Sequence, residues 1–179
     1  MKARTKRVIS VLGILFVVAA AVLLWLSYRA AHLPPDITAE IFGSADVRSA
    51  FTTAQSVTVQ RLHWREPHDQ PHELESYDHG PELPVSAATV QQLQALFQQP
   101  GSFEWNSVKS CAPDYGVLFT FHSPQHDVQL ALCFQCLIFG IYDAGSEVNA
   151  EEDFDPIASK LANLIKPLFP GDKDIQDLK

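Results

Sequence analysis

The residues best suited to chemistry are Cys111, Cys133 and Cys136, the only cysteines in 179 residues. Two of them form Cys133-Phe134-Gln135-Cys136. A C-x-x-C spacing serves disulfide exchange when a helix N-terminus depresses its thiols, and it forms half of many zinc sites. Here the flanking pattern places it between two strands, so no helix dipole is expected to activate it. Three thiols fall one ligand short of a closed tetrahedral zinc, and Asp114 is the nearest carboxylate that could complete a zinc or copper site. In an oxidising compartment the same residues instead yield one structural disulfide, drawn from Cys111, Cys133 and Cys136, and one spare cysteine. Three ordinary buried cysteines are the remaining reading.

A weaker metal candidate is the group His63, His68, His72 and His79, interleaved with Glu66, Asp69, Glu73, Glu75 and Asp78. Imidazole and carboxylate are suitable donors for zinc, copper or nickel. The spacings match no helical face, and Pro67 and Pro71 interrupt them. A solvated acidic loop explains the segment, with a charge that changes near pH 6 through its histidines as the alternative. Glu151-Glu152-Asp153 precedes a helix start, where acidic residues are favoured by the helix dipole. The chain has no phosphate-cradling glycine loop, no H-E-x-x-H and no G-x-S-x-G. No catalytic residue and no cofactor-binding residue is assigned.

The elements that must position the cysteines follow from periodicity. Asp46 to Ala54 suggests a short helix, and Ser56 to Trp64 alternates like a strand. Residues 65–84 read as a polar, proline-bearing loop. Ser86 can cap a helix to Gln99 whose Val90, Leu93 and Phe97 share a face, and Pro100-Gly101 stops it. Val117 to His122 and Asp127 to Cys133 are strands joined by the turn residues Ser123-Pro124-Gln125-His126. Leu137 to Tyr142 is a third strand. Asp155-Pro156 starts a helix whose buried face is Ile157, Leu161, Leu164 and Leu168. The pattern predicts an α+β fold, with helices packed on one face of a small, largely antiparallel sheet. If His122 pairs with Asp127, Cys133 lies opposite Gly116, close to Cys111. His122 and His126 then lie about 20 Å away along the hairpin and are poor ligands for the cysteine site.

The runs Lys109-Ser110-Cys111-Ala112-Pro113-Asp114-Tyr115-Gly116-Val117, Leu132-Cys133-Phe134-Gln135-Cys136, Glu152-Asp153-Phe154-Asp155-Pro156 and Leu168-Phe169-Pro170 resemble a pattern in short uncharacterised bacterial proteins. The likeness covers residues 83–178. It implies a bacterial origin and carries no assigned activity.

Charge is segregated along the chain. Lys2, Arg4, Lys6 and Arg7 form a basic head, and no acidic residue occurs before Asp36. The remainder holds 9 basic and 21 acidic residues, a balance of −12 that repels phosphate backbones and argues against nucleic acid as a partner. Val8 to Leu26 is an uncharged apolar run, with Trp25 and Tyr28 at its far end. Hydropathy and the positive-inside rule therefore predict a cytoplasmic head at 1–7 and a transmembrane anchor at 8–28, and the bacterial origin that the resemblance implies would make the membrane a bacterial inner membrane. A linker at 29–44 and a single periplasmic domain at 45–179 follow. A signal peptide cleaved near Ala19-Ala20-Ala21 is the rival reading. The expected function is a membrane-anchored, non-enzymatic binding or interaction module with structural cysteines and an unknown protein partner. A thiol-redox or metal-handling protein using Cys111, Cys133 and Cys136 is the alternative.

Overall fold

The computed structural model describes residues 18–25, 36–65, 73–105, 109–143 and 148–179, with the side chains of Val148 and Asn149 left aside. The chain divides into two compact units, 1–34 and 35–179.

In the first unit, residues 18–25 are helical, and Val18, Leu23, Leu24 and Trp25 are exposed. Among the described residues, no helix is long and apolar enough to cross a membrane. This corrects the expected transmembrane helix at 8–28, and with it the single-pass inner-membrane placement. The basic head at 1–7 and the rest of the apolar run lie outside the described residues.

The second unit is α+β, and its sheet is antiparallel throughout. The strands are β1 (Ser56–Trp64), β2 (Tyr77–His79), β3 (Leu83–Pro84), β4 (Val117–His122), β5 (Asp127–Cys133), β6 (Ile138–Asp143) and β7 (Val148–Asp153). They lie in the order β2-β1-β4-β5-β6-β7, with β3 also pairing with β1. The helices are α1 (Ile37–Glu40), α2 (Ala45–Thr52), α3 (Ala87–Phe97), α4 (Ala158–Ile165) and α5 (Lys173–Gln176).

Capping explains the helix starts. The side chains of Asp36, Ser44, Ser86 and Asp172 each accept a backbone N–H of their own first turn. The β4–β5 hairpin has the predicted register, with His122 opposite Asp127 and Val117 opposite Leu132. Strand alternation then sorts the side chains. Val57, Val59, Phe119, Phe121, Val128, Leu130, Phe139 and Ile141 face the helices in one core. Phe51 of α2 packs there on Phe121 at 4.2 Å between ring centroids, and Phe97 of α3 on Phe139 at 5.0 Å.

Three segments depart from expectation. The stretch 36–44, read as linker, forms α1 and buries Ile37, Ile41 and Phe42 in the core. The stretch 65–84, read as loop, supplies β2 and β3 to the outer edge of β1. The carboxylate run Glu151-Glu152-Asp153 ends β7, paired with β6. These strands are too short or too acidic to show a period, and charged residues are tolerated at a sheet edge.

The C-terminus is tied back by charge. Arg61 on β1 pairs with Asp172 at 2.5 Å and also donates to the Gly116 carbonyl. Burial pushes the Asp172 carboxyl up, but the Ile175 N–H and Arg61 outweigh it and hold it below its ordinary value. A depressed folded-state pKa adds stability above the unfolded value near 3.9, and this is lost as pH falls through the folded value. Asp172→Ala, which also removes the helix cap, should cost about 1–2 kcal/mol at pH 7. In urea unfolding, the gap between wild type and variant should narrow as the pH is lowered to about 2.5.

Candidate functional site at the cysteine junction

The sheet's second face is apolar at one end. Leu62, Leu118, Ala131, Cys133, Ile138 and Tyr142 form a second buried cluster there, with Tyr77 and Tyr115. Segments 73–79 and 109–116 bring Tyr77 and Tyr115 to this face. The stretch 109–116 has no regular secondary structure, so its placement needs explicit ties.

The first tie is covalent. Cys111 and Cys136 form a disulfide with their Cα atoms 6.1 Å apart, and Cys133 is free and buried. The predicted register brings these residues together, because the Gly116 N–H donates to the Leu132 carbonyl at 2.9 Å and so extends the hairpin pairing toward Cys111. The second tie is Lys109. Its Nζ donates to the Cys136 carbonyl at 2.8 Å and to Asp155 at 2.5 Å, and lies 3.5 Å from buried Asp153. The third tie is Tyr77, whose hydroxyl donates to the Pro113 carbonyl and accepts the Tyr115 N–H, each at 3.2 Å.

The C-x-x-C residues make the turn between β5 and β6, where Cys133 lies opposite Ile138. The turn closes with Leu137 at φ 57°, a left-handed conformation that is uncommon for a residue with a Cβ. Two contacts hold it there: the Leu137 carbonyl accepts the Phe154 N–H at 2.9 Å, and Phe134 packs on Phe154 at 5.4 Å. Asp155 stands at the expected helix start, but its side chain makes no cap. Its carboxylate goes instead to Lys109, and a short 3-10 turn, Asp155–Ile157, precedes α4. Three of the four runs of the pattern noted in the sequence, 109–117, 132–136 and 152–156, therefore converge on this one junction, whereas Leu168 and Phe169 pack in the helix-covered core.

Burial pushes the Cys133 thiol above its ordinary value, against the opposing effect of N–H bonds from Cys136, Asp114 and Gln135. Burial also raises the phenols. Tyr142 is pushed up to about 12, and Tyr77 and Tyr115 go higher still. The Tyr115 hydroxyl also donates to Glu151 at 3.3 Å. All three phenols stay protonated at physiological pH, and Tyr77 and Tyr115 serve as donors.

Among the described residues, the candidate metal ligands are not brought together as a group. Asp114 is exposed, and its backbone N–H rather than its carboxylate reaches the Cys133 sulfur. His63 is exposed on β1, and His79 bonds the Leu74 carbonyl at 3.1 Å. His68 and His72 lie outside the described residues. Among the described residues, no group of three or more His, Cys, Asp or Glu side chains is placed to hold a metal ion.

One arrangement was not anticipated. The Thr58 hydroxyl lies 3.3 Å from His122 Nε2, and His122 Nδ1 lies 2.9 Å from Asp127. Hydroxyl, imidazole and carboxylate in this order resemble a nucleophile triad. Thr58 sits inside a strand paired on both sides, so the surrounding N–H groups belong to ladders and not to an oxyanion hole. The signal was present in the diagonal placement of Thr58 and His122, but only the β1–β4 register reveals it.

Comparison with family models, with curated proteins and with solved structures finds no match.

Lys109→Met keeps the side-chain length and leaves Asp153 buried without its cation. It should lower stability by about 2–3 kcal/mol in thermal or urea unfolding while the disulfide persists.

Proposed function

We propose that this chain is a non-enzymatic binding or interaction module whose cysteines are structural. The supporting observation is that, apart from the buried Cys133 thiol, the chemically able groups described at the junction are already engaged. Cys111 and Cys136 are bonded to each other, Lys109 is spent on two carbonyls and two carboxylates, and Tyr77 holds the loop backbone at Pro113 and Tyr115. The surface that remains for a partner is the other end of the same sheet face, where Thr58, Gln60, His122 and Gln129 are half-buried. Small ligands favour concave, mostly apolar pockets, whereas a flat face of hydroxyl, amide and imidazole groups suits hydrogen bonding to a protein surface. The net charge of −8 favours a partner with a basic face.

Replacing both bridged residues, Cys111→Ser with Cys136→Ser, tests the structural role. Closing a loop with sequence separation 25 should make the bridge worth about 3 kcal/mol, read as a lower midpoint in urea. An unchanged midpoint would overturn the reading. So would thiol–disulfide turnover of a small dithiol by the wild-type chain that Cys→Ser substitution abolishes without altering melting.

A further inference from the structure

A third sulfur lies beside the Cys111–Cys136 bridge. Cys133 is free and fully buried, whereas Cys111, at the outer end of the bridge, is exposed. The Cys136 N–H donates to Cys133 Sγ at 3.3 Å, so the free sulfur sits against the residue that carries the inner end of the bridge. The N–H groups of Asp114 and Gln135 also point at this sulfur and favour its thiolate. Cys133 and Cys136 have the spacing of dithiol motifs that form their own disulfide.

We propose that the bridge isomerises within the chain, moving the free thiol from buried Cys133 to exposed Cys111. Cys133, having given its proton to solvent, attacks the sulfur of Cys136. The Cys133–Cys136 bond forms as the Cys111–Cys136 bond breaks, and Cys111 leaves as a thiolate that takes up a proton. One disulfide and one thiol exist before and after, so no oxidant or reductant is needed. In the second state the 109–116 segment loses its covalent tie and keeps Lys109 and Tyr77. Its surface thiol can then exchange with a disulfide on a partner, forming a Cys111–partner bond as the partner's own disulfide breaks and its other sulfur leaves as a thiolate. This goes beyond the binding role proposed above and does not depend on it.

The groups facing the attacking sulfur are Asp114 of the loop, Tyr77 of β2 and Tyr142 of β6. Glu151 of β7 lies behind Tyr115, and Lys109 sits on the outer carbonyls of the turn. Burial raises the thiol and Asp114 adds to this, so the exchange runs faster in mild alkali than at neutrality.

The test uses the full chain purified without reductant and incubated under native conditions with iodoacetamide in mild alkali. Digestion and mass mapping should find one label per chain, on Cys111, together with a Cys133–Cys136 link. Label on Cys133 with the Cys111–Cys136 link intact would mean that opening of the whole domain had exposed the buried thiol, and would overturn the proposal. No label after prolonged incubation, or label on all three cysteines, would also overturn it. Cys133→Ser removes the attacking sulfur and should reduce labelling from one per chain to none. Cys111→Ala should be isolated two hydrogens light, with Cys133 bonded to Cys136. Two persistent thiols in that variant after exposure to air would count against the exchange.

Discussion

A sheet with apolar side chains on both faces must be covered on both, and the junction answers that constraint. The central strands β4, β5 and β6 are buried along nearly their whole length. Helices cover one face in the usual way, since each carries an apolar stripe and satisfies its own backbone. The other face receives an irregular segment, whose backbone N–H and carbonyl groups need partners supplied from outside it. Tyr77 supplies two, and the Cys133 sulfur receives the N–H of Asp114. Such a cover has little cooperative strength of its own, which gives the disulfide and Lys109 their roles.

Lys109 links three parts of the chain that are distant in sequence. It joins the loop to the C-x-x-C turn through the Cys136 carbonyl, and to the entry of α4 through Asp155. The turn holds Leu137 in a left-handed conformation, stabilised from the α4 side by the Phe154 N–H and the Phe134–Phe154 contact. Buried Asp153 is tolerable because this ammonium lies beside it. Loop, turn and helix entry are thus energetically coupled, and a change in one should be felt in the others.

The sulfur chemistry follows from the same burial. Backbone N–H groups around Cys133 favour a thiolate, desolvation favours the thiol, and desolvation is the larger effect. The bridge has one exposed and one buried end, so the three sulfurs differ more in accessibility than in position. At the opposite end of the same sheet face the demands reverse. Thr58, His122 and Asp127 form a hydrogen-bonded row at the open end of the face, where no cover is required.

The sequence by itself determined those features whose signals are local. The cap at Ser86, the Ser123 to His126 turn and the alternation on either side of it specified a helix and a hairpin register. That register alone placed Cys111 near Cys133 and Cys136, and His122 and His126 away from them. It did not choose which cysteines bond, because Cys133 and Cys136 are closer in sequence while Cys111 and Cys136 are the pair that meets. Hydropathy at 8–28 suggested a spanning helix, yet among the described residues none is long enough to span. Strands β2 and β3 escaped notice because two or three residues leave no period to detect, and β7 because its acidic run, Glu151-Glu152-Asp153, hides the alternation. The roles of Lys109, Asp155 and Tyr77 were decided only by tertiary structure. Each binds groups more than twenty residues away in the chain, and sequence patterns carry no information about partners at that separation until the sheet brings them together.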